Sequence, residues 1–120
     1  MTLPNINTEK MLDFLVDLLN IPSPTGYTGK ASAFIEEAFA AYPELSMQRT
    51  NKGSLVIKWG TSTGSATAGK GSPRAITAHV DTLGGMVKVI KGNGKLQLTR
   101  IGGLTLNGVE TEGCWVFTQD

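Results

Sequence analysis

The chain has one cysteine, Cys114, and one histidine, His79. A lone cysteine excludes an intrachain disulfide framework, and a small buried side chain is its default role. No apolar run approaches the roughly 20 residues of a membrane span. The start, Met1-Thr2-Leu3-Pro4-Asn5, lacks the basic and apolar regions of a secretory signal. Neither sign of charge dominates: eleven basic and ten acidic side chains leave a formal +1. A nucleic-acid footprint would need a basic stripe. No internal repeat is found. These absences lead to the expectation of a soluble cytoplasmic protein with no nucleic-acid and no membrane partner. The length, 120 residues, suits one domain, or one domain and a fragment of a second. A modest core is within reach of such a chain.

What is present centres on Ala75-Ile76-Thr77-Ala78-His79-Val80-Asp81. The run is β-forming, ends in the histidine, and an aspartate follows two residues later. Neutral imidazole is a good zinc ligand, and a carboxylate can bond the ring nitrogen that faces away from the metal. Alternation along a strand puts positions 79 and 81 on one side. One histidine and one aspartate do not make an active site, so the chain is expected to carry part of its chemistry only.

Helices come first. Met11, Leu12, Leu15, Leu18 and Leu19 recur at helical spacing. Asn7 or Thr8 can cap the start, and Glu9 suits the positive end of the dipole. The run Asn20-Ile21-Pro22-Ser23-Pro24-Thr25-Gly26 must break that helix. A second helix shows Ala31, Phe34, Ile35, Ala38 and Phe39 on one face, with Thr28 as its cap, Glu36 and Glu37 outward, and Pro43 ending it. Strands follow. Residues 45–50 and 55–59 flank Asn51-Lys52-Gly53 as a hairpin. Gly60 to Pro73 reads as a loop with too little apolar surface to pack. Further strands are expected at 75–79, 86–90, 95–101 and 114–118, the middle two joined by Lys91-Gly92-Asn93-Gly94. Gly102-Gly103 breaks the second hairpin.

Helices crowd the first part and only strands fill the last. Such a shift marks a domain boundary, here near Thr82 to Gly85. The chain ends abruptly after the apolar strand around Trp115-Val116-Phe117, and a strand needs a partner and a cover. The expectation is the N-terminal part of a longer polypeptide.

Four motifs stand in collinear order: Ile21-Pro22-Ser23-Pro24-Thr25-Gly26-Tyr27, His79-Val80-Asp81-Thr82-Leu83-Gly84, Met86-Val87-Lys88 and Ile101-Gly102-Gly103. Together they resemble the glutamyl and tetrahedral aminopeptidases, a family of co-catalytic dizinc metallopeptidases, over nearly the whole chain. The resemblance implies an α/β fold. Residues 1–82 would be the N-terminal part of the zinc-peptidase catalytic domain, and 83–120 the opening strands of an inserted small β domain used for dimerisation. It implies that His79 is the first metal ligand, on one of two divalent ions, and that Asp81 orients that histidine. Zinc is the expected metal, although an imidazole suits cobalt and manganese too. Thr82 departs from the glutamate common at its position. The bridging aspartate, the general-base glutamate and the remaining ligands match nothing in this chain. A peptide substrate and a homo-oligomer built from dimers are implied as partners.

Plainer readings stand beside these. A lone histidine at a strand end is more often a hydrogen-bonded structural residue, and Asp81 alone would cap the following turn. Gly102 and Gly103 are most simply a bend. Glu110 and Glu112 read as a solvated edge, and Trp59 and Trp115 as packing residues. Gly64-Ser65-Ala66-Thr67-Ala68-Gly69-Lys70 mimics a phosphate-binding loop, but Gly71 stands where magnesium needs Ser or Thr, and no helix follows. The expected function is metal-dependent removal of N-terminal residues from peptides, with most of the catalytic site outside this chain. The alternatives are a non-catalytic folding or assembly module, and a related dizinc deacylase or carboxypeptidase. The β segment so soon after Asp81 favours the aminopeptidase.

Overall fold

Apolar periodicity, capping and turn chemistry shape the described residues as two helices and two antiparallel hairpins. The computed structural model describes residues 5–59 and 75–118. The chain divides into two compact units, Met1–Asp81 and Thr82–Asp120. The architecture is mixed α and β. No helix of the described residues is long and apolar enough to cross a membrane.

The first unit opens with α1, Thr8–Leu19. The Asn7 side chain accepts a hydrogen bond from the Lys10 backbone N–H at 2.9 Å, satisfying one of the free donors at the helix start. Helix α2, Gly29–Ala40, follows. Thr28 occupies its N-cap position without a side-chain bond, and the helix stops at Ala40, before Pro43. The helices meet through aromatic rings. Phe14 stacks on Phe34 at 5.3 Å between centroids and meets Phe39 edge-on at 6.4 Å. Tyr42 extends the cluster from Phe39, and the Lys10 ammonium donates to its hydroxyl at 3.2 Å.

This packing corrects the expected inner face of α1. Met11, Leu12, Leu15 and Leu19 are exposed, whereas Phe14 and Leu18 are half-buried. Nearly every side of this helix carries an apolar residue, so spacing alone does not say which side turns inward. Stacking of the large rings selects the Phe14 side. On α2, Ala31 and Ser32 are buried, and Phe34, Ile35, Ala38 and Phe39 are half-buried, as their spacing predicts.

Strands β1 (Leu45–Arg49) and β2 (Leu55–Trp59) pair antiparallel, with Met47 opposite Ile57. Leu45, Met47, Leu55 and Ile57 are half-buried while Ser46, Gln48 and Val56 are exposed, the period of two expected of a half-covered sheet. Arg49 forms a two-point pair with Glu36 of α2, at 3.0 and 2.5 Å. Glu36 is thus half-buried and not simply outward-facing.

In the second unit, β3 (Gly84–Ile90) and β4 (Leu96–Ile101) form the other hairpin, with a register shift between Val87 and Val89. Both hairpins close alike. The Gly53 N–H donates to the Thr50 carbonyl at 2.9 Å and the Gly94 N–H to the Lys91 carbonyl at 2.8 Å. Each of these glycines has a positive φ, +83° and +79°, a conformation that L side chains resist. A 3-10 turn, Leu106–Gly108, was not expected from the sequence.

Two expected strands do not form. Residues 75–79 belong to neither sheet, and Ile76 is 97% exposed. Residues 114–118 are likewise outside any strand. Apolar alternation states a preference, but a strand exists only where an edge is available to pair. Cys114 is exposed and not buried. Trp59 and Trp115, expected to pack, are 84% and 87% exposed. The expected loop at Gly60–Pro73 and the phosphate-loop mimic lie outside the described residues.

Candidate functional site

Helix α1 ends because Pro22 and Pro24 cannot continue it. The loop that follows closes with the Tyr27 N–H donating to the Pro24 carbonyl at 2.7 Å. Gly26 is the third residue of that turn and has φ +91°, as a type II turn requires there. The loop carries two hydroxyls toward the segment that bears the histidine. Ser23, only 2% exposed, donates from Oγ to the Val80 carbonyl at 2.6 Å. Thr25 donates from Oγ1 to the Asp81 carboxylate Oδ2 at 2.6 Å. Segment 75–81 is therefore held by side chains of the loop, without a strand partner among the described residues.

His79 and Asp81 meet as the sequence predicts. The ring Nδ1 lies 3.1 Å from Asp81 Oδ1 and 3.0 Å from the Asp81 backbone carbonyl. Both neighbours are pure acceptors, since a carboxylate and a carbonyl offer no proton. Nδ1 must therefore carry the hydrogen, and the lone pair of the neutral ring sits on Nε2. The His79 side chain is 83% exposed, so the ring stands in the open.

The Asp81 carboxyl titrates below the usual carboxylate range. The Thr25 hydroxyl bond is the main cause; desolvation opposes it, and the charge and hydrogen bond of His79 add to the lowering. A cleft of about 840 Å³ adjoins the pair. Its walls include Thr25, Thr28, Ser32, Lys52, Ile57 and Ile76, a mix of hydroxyl, cationic and apolar surface.

A metal requires more than this. With its lone pair on an exposed Nε2 and a carboxylate on Nδ1, His79 fits one ligand position. Among the described residues no three His, Cys, Asp or Glu side chains converge to hold an ion. Glu110, Glu112 and Cys114 belong to the other unit and are exposed. Sequence reasoning missed the roles of Ser23 and Thr25. The signal was present: two hydroxyl residues alternate with the prolines of a rigid loop.

The family model of the M42 glutamyl aminopeptidases matches residues 60–120, a stretch that includes His79 and Asp81. The chain belongs to the M42 family. It is also similar to the protein named "Putative aminopeptidase YhfE" of Bacillus subtilis (strain 168), with 38% identity over 112 residues. That match takes in 93% of this chain and 30% of the relative, so the chain spans less than a third of that protein's length. The His79–Asp81 pair lies inside the matched stretch.

Proposed function

We propose that these residues are the N-terminal part of a metal-dependent aminopeptidase that removes N-terminal residues from peptides. In this reading residues 1–82 belong to an α/β catalytic domain, and 83–120 begin an inserted β domain through which dimers form and build a larger cytoplasmic homo-oligomer. His79 is a ligand of one of two divalent ions, of which zinc is the first choice. Asp81 holds the ring with Nε2 free and, by accepting from Nδ1–H, makes that nitrogen a better donor. When bound, a pair of such ions supplies Lewis acidity for a water and a scissile carbonyl. The remaining ligands and the general base come from polypeptide beyond these 120 residues. Neither His79 nor Asp81 moves the proton.

One observation carries this reading. Family membership and geometry coincide on the same two residues, because the stretch matched by the M42 model contains an imidazole whose far nitrogen is already engaged by a carboxylate. The test uses a longer natural polypeptide that contains this segment. It should bind two equivalents of zinc and cleave aminoacyl-anilides, and His79→Ala should remove most of both. A longer chain that binds no metal and leaves those anilides intact would refute the proposal.

A second reading, a non-catalytic assembly module, draws on the exposed apolar faces and on the lack of a three-ligand cluster among the described residues. Stoichiometric binding of two zinc ions by the 120-residue chain alone would contradict the division of ligands proposed above. Hydrolysis of N-acyl amino acids, with aminoacyl-anilides untouched, would favour a deacylase of related chemistry.

A further inference from the structure

We propose that Thr25 is a positioning residue, whose hydroxyl fixes the Asp81 carboxylate so that its other oxygen, beside the Asp81 backbone carbonyl, secures the Nδ1–H tautomer of His79. The inference rests on the reading of His79 as a metal ligand for its purpose, though not for its mechanism.

The two oxygens of Asp81 are divided between two partners. Oδ2 accepts from Thr25 Oγ1 at 2.6 Å, and Oδ1 lies 3.1 Å from His79 Nδ1. The terminal torsion of an aspartate is broad and roughly two-fold. Left alone, the carboxylate would swing, and its hold on an exposed ring would be intermittent. A donor on one oxygen removes that freedom and directs the second oxygen at the ring.

Thr25 is itself well placed to do this. It sits inside the turn closed by the bond from Tyr27 N–H to the Pro24 carbonyl, between Pro24 and the positive-φ Gly26. Two residues earlier, the Ser23 hydroxyl ties the same loop to the Val80 carbonyl at 2.6 Å, in a position shielded from water. Loop and segment are thus joined at neighbouring points. The Thr25–Asp81 bond is exposed to solvent, and the buried Ser23 anchor keeps its partners in register against competition from water.

His79 is the only histidine in the chain, so a sample labelled with 15N-histidine reports this ring alone. The two ring-nitrogen shifts give the tautomer directly, at about pH 8 where an ordinary imidazole is neutral. The wild-type chain and Thr25→Ser should both hold the Nδ1–H form. Thr25→Val should shift the nitrogens part of the way toward the averaged positions of a free imidazole, as Asp81→Ala should, the Asp81 backbone carbonyl at 3.0 Å remaining in both. A wild-type ring protonated on Nε2 would overturn the inference with no variant needed. So would a Thr25→Val ring that keeps the wild-type tautomer.

Where Thr25→Val alters the amide spectrum of the β1–β2 hairpin, Thr25→Ala takes its place under the same criteria. In the longer enzyme, Thr25→Val should weaken zinc binding by roughly ten-fold, the lower end of what outer-sphere changes bring, and Thr25→Ser should restore it. A tautomer that responds to Thr25 in a protein whose His79 takes no metal would support the positioning role and remove the metal reading. Zinc bound through His79 with a tautomer indifferent to Thr25 would do the reverse.

Discussion

A carboxylate that serves two donors is held in its charged form. For Asp81 the Thr25 hydroxyl contributes most and His79 adds to it. The sign of the pH dependence follows. The folded carboxyl titrates below its unfolded value of about 3.8, so its contribution is present above that value and lost as pH falls through the folded one. A carbon-detected titration of Asp81 should show a midpoint below 3.8, and Thr25→Val should raise it; an unchanged midpoint in the variant would contradict the hydrogen bond. Ser23 makes a different prediction. It is almost wholly buried and its hydroxyl satisfies the Val80 carbonyl, so Ser23→Ala should cost about 1–3 kcal/mol, read as a lower denaturant midpoint. His79 and Asp81 drew attention in sequence because they stand two residues apart, although the strand expected to align them does not form. Ser23 and Thr25 were not, because their partners lie 57 and 56 residues away and no local pattern encodes that distance.

Secondary elements divide by how local their causes are. Both hairpins were legible, because a turn with a glycine in the left-handed region and flanking alternation are short-range signals. Strand 75–79 was not, since its existence depends on an edge elsewhere. For α1 the helix itself was legible and its inward side was not. Phe14 provides the check. Its ring packs on Phe34 and Phe39, so Phe14→Ala should destabilise the first unit by about 1–2 kcal/mol, less than the ~3–5 of a fully buried ring. Leu15→Ala, on the exposed side of the same helix, should change little. Equal effects from the two variants would mean that the side assignment is wrong. Gly26→Ala should cost about 1–2 kcal/mol through its φ of +91° alone, since an added Cβ meets nothing within 4 Å.

At the scale of the molecule the balance of burial is unusual. Among the described residues the only fully buried apolar residue is Ala31, while Met11, Leu12, Val16, Leu19, Ile90 and Trp115 are exposed. Large apolar side chains exposed in this number, in each of the two units, favour association. The expected outcome is self-association of the isolated 120-residue chain. Sedimentation should give masses above 12.7 kDa, and a single species of that mass with a cooperative melt would count against the prediction.

The sequence by itself determined the helices, the two hairpin turns, the family, and the pairing of His79 with Asp81. The elements and the pair depend on residues a few positions apart, where period and backbone preference act directly, and the family on four motifs in collinear order along the chain. Only the tertiary structure decided which side of α1 turns inward, that residues 75–81 are held by two loop hydroxyls in place of a sheet, and which nitrogen of His79 is left free. Those outcomes are settled by contacts between distant parts of the chain, and a contact of that range exists only once both parties have been brought to it.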